Sequence, residues 1–211
     1  MQLRAEQTRR ALLDVAATLF DARGLRGTGL LDIAQRAGVS KGALYFHFSN
    51  KEELVRTVVD EARAQAHGLA RRHLGRNPCQ LSDIAAFVTA LTQELRRDVV
   101  LRAGLRLEKE AQECRQLHGG EDGEDGEGGS ARLQAGRPTL LEEWMGCLRD
   151  QCAGHDGETA LADLLTAVTV GLESLGRADP GWWTEDTVEG IWKLLCGMVP
   201  EESPAGRSEP G

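Results

Sequence analysis

Apolar residues recur along this chain at intervals of three and four, the spacing that lays one stripe down a helix. Leu12, Val15, Ala16, Leu19 and Phe20 fall at i, i+3, i+4, i+7 and i+8. They predict a helix from near Leu3 to Ala22 that stops at Gly24. Leu30, Ile33, Ala34 and Ala37 give a second, short helix one buried face, and Gly38 follows with a residue able to take positive φ. Ser40 is placed to cap a third helix. There the pattern sends Ala43, Leu44, Phe46 and Phe48 inward and leaves Lys41, Tyr45 and His47 outside. Two short helices joined by a glycine turn, the second with donors on its outer face, have the form of a helix-turn-helix that presents groups to phosphates and base edges.

Ser49 followed by Glu52 reads as a capping box opening a fourth helix that runs to about Leu74, where Arg76, Asn77 and Pro78 end it. This helix is mostly polar beyond Val58 and Val59. Lys51 sits in its first turn, where a cation opposes the helix dipole but suits a phosphate. Further helices follow over 81–97, with Ile84, Phe87, Val88, Leu91 and Leu95 in register, and from Val99 to about Gln116, with Val100, Leu101, Leu105 and Leu107. Ala103 and Gly104 stand among bulky neighbours in the latter. Small residues there permit a close helix crossing or leave space for a ligand. Pro138 begins another helix, to about Cys152, in which Trp144 is either core or the flat wall of a pocket. Two amphipathic helices close the chain, over 158–176 and 184–198, preceded at the second by Trp182 and Trp183 as interface or staple. Such a pair either completes the core or packs against a second copy.

Composition agrees with an all-α protein, since only 4% of the 211 residues are aromatic and period-two strands are hard to find. The stretch 119–129, all glycine and acid, has no apolar anchor and is expected to be a disordered loop extending to 137. The tail 201–211, rich in Pro, Gly and Ser, is expected to be disordered as well. The remaining divisions are a head over 1–50 and a body over 51–200. A formal charge of -8 argues against nucleic acid only if it is evenly spread. Residues 1–56 carry nine Lys or Arg against six Asp or Glu, and the remainder sixteen against twenty-seven. A basic head on an acidic body orients an approach to phosphate.

Five cysteines form no CxxC pair and leave one over in any disulfide scheme. With no apolar run of about 18 residues and no signal-like segment, a soluble protein of the reducing cytoplasm is expected, with no membrane partner. His67, His73, His118 and His155 have no metal-ligand or catalytic spacing, so neither a metal, a cofactor nor an enzyme is expected.

The run Ile33, Ala34, Ala37 to Phe48, followed by Lys51, Glu52, Glu53 and Leu54, resembles the DNA-binding domain of the TetR family of bacterial repressors. Val100 to Leu107 and the Glu143–Trp144 pair resemble its γ-butyrolactone receptor branch. The resemblance implies a homodimer on double-stranded operator DNA, released by a γ-butyrolactone-like effector and controlling genes of secondary metabolism. It implies DNA contacts from Thr28, Ser40, Lys41, Gly42, Ala43, Tyr45, His47 and Lys51, with Lys41 reading bases and Thr28, Tyr45, His47 and Lys51 holding the backbone. It implies an effector pocket near Leu101, Leu105, Trp144 and Val168. At Gly29 the family usually carries a hydroxyl residue that caps the second helix and binds a phosphate, and this chain lacks it. A regulator of another apolar compound, or one that binds DNA without a lactone response, fits the same residues.

Overall fold

A computed structural model describes residues 2–75, 81–118, 137–152 and 158–198. Among these the chain is all-helical, with nine α-helices and no strand. They are α1 (Gln2–Arg23), α2 (Leu30–Arg36), α3 (Lys41–His47), α4 (Lys51–Leu74), α5 (Leu81–Arg97), α6 (Val99–His118), α7 (Leu140–Cys152), α8 (Glu158–Ala178) and α9 (Glu185–Met198), with a 3-10 turn over Pro180–Trp183 before the last. The acidic stretch, apart from Arg137, and the 201–211 tail lie outside the described residues.

The helix ends follow local chemistry. Gly24 and Gly38 take φ of 72° and 67°, left-handed values that let the chain turn after α1 and α2. The cap of α4 falls one residue later than the Ser49–Glu52 pair implies. Asn50 Oδ1 accepts the Glu53 N–H at 2.8 Å, and the Glu53 carboxylate accepts the Ser49 N–H at 2.7 Å. Ser49–Glu52 and Asn50–Glu53 share the same spacing, so only the position of the first helical turn decides between them. The Ser49 hydroxyl and backbone hydrogen bonds hold the Glu53 carboxyl below its ordinary value.

Two apolar clusters divide the molecule. The head cluster gathers Leu12, Leu13, Ala16, Leu19 and Phe20 of α1, Ile33, Leu44 and Phe48 of the helix-turn-helix, Leu54 to Val59 of α4, and Val100, Ala103 and Leu107 of α6. The body cluster takes Ala62, Ala66 and Leu69 of α4, Phe87, Leu91 and Leu95 of α5, Leu101 and Leu105 of α6, and Trp144, Leu172, Trp183, Val188 and Trp192. Helix α4 therefore has a buried face along its whole length. Beyond Val59 that face consists of Ala62, Ala66, Leu69 and Leu74 together with Arg63, which the fold buries.

At the crossing of α4 and α6 the choice left open by the small residues resolves toward close approach. A Cβ on Gly104 would lie 2.2 Å from the Ala62 Cβ, a distance that two carbons cannot share. The tryptophan pair divides its roles. Trp183 is buried and donates Nε1–H to the Leu172 carbonyl at 2.8 Å, stapling the 3-10 turn to α8, whereas Trp182 is exposed.

Candidate functional site

Helix α3 presents its outer face from a capped start. Ser40 Oγ accepts the Ala43 N–H at 3.1 Å, which fixes the first turn and uses Ser40's oxygen as an acceptor. Lys41 and Tyr45 are exposed one helical turn apart, with the Lys41 ammonium 5.7 Å from the Tyr45 ring centroid. His47 is half-buried, with its ring edge-to-face on Phe46 at 5.1 Å. Gly42 has open space where a Cβ would go, the nearest atom being Ser40 Oγ at 3.9 Å. Glycine in a helix costs about 1 kcal/mol against alanine. Nothing inside the described fold requires it. Ala43 is half-buried beside it.

Phe46 departs from its expected place, pointing outward with 80% of its surface exposed. Leu44 and Phe48, four residues apart, hold the inward line, and a residue midway between them lies on the opposite side of so short a helix. Thr28 departs the other way. It is 1% exposed and spends its hydroxyl on the Gly24 carbonyl at 2.9 Å, closing the α1–α2 turn rather than facing a phosphate. Lys51 also has a use inside the fold, donating Nζ–H to the Leu25 carbonyl at 2.7 Å. Desolvation there lowers its ammonium pKa against the opposing pull of Glu52. Two of its three N–H donors stay available for another acceptor. On α1, Arg10 pairs with Asp14 at 3.0 Å and with Glu61, and the Arg9 guanidinium lies 5.0 Å over the Phe48 ring. Both arginines are engaged within the fold.

Gly29 is the N-cap of α2, with extended backbone and no side-chain cap, and a Cβ there would meet nothing within 4 Å. A Gly29→Ser protein is expected to gain a few tenths of a kcal/mol, because a serine oxygen can accept from the first turn without strain. Urea denaturation beside the parent protein measures it, and a lower midpoint would show that the cap does not form.

Leu101, Leu105 and Trp144 all belong to the body cluster, and Val168 packs against it, so the four expected pocket residues meet in one place. Phe87 stands edge-to-face on Trp144 with centroids 6.1 Å apart. Trp144 is 4% exposed, yet its Nε1–H has no hydrogen-bond partner, and the same holds for Trp192 Nε1. A buried donor left unpaired costs about 1–3 kcal/mol. Two of them in one apolar cluster describe a core that can supply hydrogen bonds to an acceptor. Trp192 lies in the amphipathic helix expected over 184–198, and such a stripe says nothing about which neighbours can pair with its indole.

Beside that core lies an ion network that no local spacing reveals. Arg63, 3% exposed, donates from Nε to Glu108 at 2.6 Å, from Nη1 to Glu143 at 2.7 Å, and from Nη2 to the Pro138 carbonyl. Glu108 also accepts the Leu140 N–H at 2.7 Å. Desolvation keeps the Glu108 carboxyl above its ordinary value despite Leu140 and Arg63. Burial also acts to raise the half-exposed Glu143, but His67 and Arg63 bring it below the ordinary value. His67 thus has a carboxylate partner after all, Glu143 at 2.7 Å, contributed by a residue 76 positions away. Among the described residues no cluster of three or more His, Cys, Asp or Glu could hold a metal, and no helix is long and apolar enough to cross a membrane.

Comparison with known proteins gives the same picture at two levels. The family model for bacterial regulatory proteins of the tetR family matches residues 12–58. The A-factor receptor protein of Streptomyces griseus is 47% identical over 60 residues, covering 28% of this chain and 22% of that protein. The regulator TtgR of Pseudomonas putida is 43% identical over 67 residues, covering 32% of each. The chain thus spans under a third of the length of these two relatives. Whole-chain likeness appears with solved structures. A γ-butyrolactone receptor described as ArpA-like has a TM-score of 0.68 at 28% identity, over 93% of this chain and 90% of that one. CprB from S. coelicolor A3(2), a TetR family protein, has a TM-score of 0.63 at 30% identity, over 96% and 93%.

Proposed function

Because the chain belongs to the TetR family of bacterial regulatory proteins and resembles its γ-butyrolactone receptor branch, we propose that it is a homodimeric repressor that leaves its operator on binding a γ-butyrolactone-type signal. Two copies of α3 enter successive major grooves of a pseudo-palindromic site. Lys41 donates to guanine O6 and N7, the exposed Phe46 ring packs against a thymine methyl, and Tyr45 and His47 hold the phosphate backbone. Ser40, Gly42 and Ala43 bring the start of α3 close to the same backbone. Lys51 adds a phosphate contact with the donors that Leu25 leaves it. Thr28 has no part in this interface.

The observation that carries the sensing half is the unpaired Trp144 Nε1–H inside an apolar cluster. A lactone offers a small apolar body and a carbonyl acceptor, which is what such a donor among leucines, Phe87 and Val168 accommodates. Helix α4 carries the signal, since one of its halves packs in the head cluster and the other in the effector core. Occupancy changes DNA affinity only through a difference in affinity between the two α4 positions. The dimer face is the apolar surface left by Leu164 and Leu175 of α8, Trp182 of the 3-10 turn and Leu194 of α9, the last 71% exposed. By this reading the targets are genes of secondary metabolism, and the protein works in the cytoplasm.

The experiment is a gel shift on palindromic fragments from the protein's own gene neighbourhood, with and without γ-butyrolactones. A retarded band that lactone abolishes is expected, and Trp144→Phe should need more lactone for the same release. Operator binding that persists through the lactone series would instead favour a regulator of another compound. Lys41→Ala should weaken operator binding by about 1–3 kcal/mol and relax its sequence preference, read by competition with mismatched sites. Unchanged discrimination would remove Lys41 from base readout.

A further inference from the structure

A cavity of about 440 Å³ lies where the end of α1 meets α5, α6, α8 and the 3-10 turn, and of its lining only Trp183 also belongs to the body cluster. Its walls include Arg96, Arg102, Arg106 and Arg177, a single acid, Asp21, and Trp183. Asp21 is the hub: its carboxylate accepts from Arg102 Nε and Arg177 Nη1, each at 2.8 Å, and its carbonyl accepts from Arg106 Nη1 at 2.6 Å. Glu110 takes Arg106 Nε at 2.8 Å and Glu173 takes Arg177 Nε, but neither acid lines the cavity. Arg102 Nη1 is held by the Leu95 carbonyl at 2.7 Å, and Arg177 Nη2 by the Arg102 carbonyl at 2.7 Å. These bonds fix three guanidinium groups in place and leave the Nη2 donors of Arg102 and Arg106 unspent. The Arg96 guanidinium makes no hydrogen bond or ion pair among the described residues.

We propose that this cavity binds a small phosphate-bearing anion, at a site that shares only Trp183 with the apolar effector core. Four cations face one carboxylate, and their donors are already held in position. Guanidinium groups match phosphate oxygens in pairs. The cavity has room for more than one oxyanion group, and a diphosphate offers the paired oxygens that several fixed guanidinium groups can match. The site would couple to the head because Asp21 sits in the last turns of α1. The next segment is gripped by the same group, with Glu110 accepting the Leu25 N–H at 2.8 Å. An anion that competes with Asp21 and Glu110 for Arg102 and Arg106 loosens that grip.

Titrating the full-length protein with inorganic pyrophosphate in a calorimeter, at fixed ionic strength and without DNA, tests the site whatever the effector proves to be. Saturable binding of one pyrophosphate per chain is expected. Arg96→Gln should weaken it several-fold and Arg96→Glu by more than about tenfold; the Arg96 side chain has no partner to lose among the described residues, so both variants should fold, checked by circular dichroism. Lys41→Ala, on the α3 face that also attracts phosphate, should leave the affinity unchanged. Absence of saturable binding, indifference to both Arg96 variants, or loss in Lys41→Ala would overturn the proposal.

Discussion

Arg63→Leu is expected to cost about 3–5 kcal/mol of stability, the range for removing one partner of a buried ion pair. The loss is electrostatic more than steric. Glu108 is buried beside Arg63, and without the guanidinium its carboxylate keeps only the Leu140 N–H as partner. The direction with pH identifies the cause. Glu108 already has a raised folded pKa, so falling pH neutralises it and removes the unpaired charge. The gap between Arg63→Leu and the parent should therefore narrow from pH 7 toward pH 5 in urea denaturation. Glu143 works in the opposite sense in the parent protein. Its folded pKa is depressed, so its contribution is fully present above the ordinary carboxylate value and disappears as pH falls through the lowered one. A gap that stays constant across this range would mean that packing, not charge, is what Arg63 supplies. The same variant frees α4 from α6 and α7, which the network ties together, so operator release should need less effector or none.

Gly104→Ala is the second large effect, expected at about 1–3 kcal/mol because one added carbon must displace Ala62 across a packed helix crossing. Neither partner of the clash is the flexible end of a side chain, so relief requires α4 and α6 to separate. That movement displaces the helix on which α3 depends. A lower urea midpoint together with altered operator affinity is the expected pair of results. A normal midpoint would show that the two helices are not so closely packed. Ala62→Gly combined with Gly104→Ala should recover part of the loss, since it returns the space that the new methyl takes.

The sequence by itself determined the helices and the chemistry of the α3 face. Spacing of three and four places α1, α2 and α5 within a residue or two. Ser40, Gly24 and Gly38 mark ends that depend only on neighbouring backbone. Lys41 and Tyr45 are exposed as their register implies. Capping, left-handed turns and one-sided stripes are local physics, legible without knowing what packs where. Only the tertiary structure decided the rest. Thr28 is buried because the amount of surface a neighbour covers is not a property of the residue's own segment. Lys51 meets Leu25, His67 meets Glu143 and Arg63 meets Glu108 across 26, 76 and 45 residues, separations at which no periodicity carries a signal. The unpaired indoles of Trp144 and Trp192 belong to the same class. A donor's lack of a partner is a statement about every atom around it, which only the folded chain assembles.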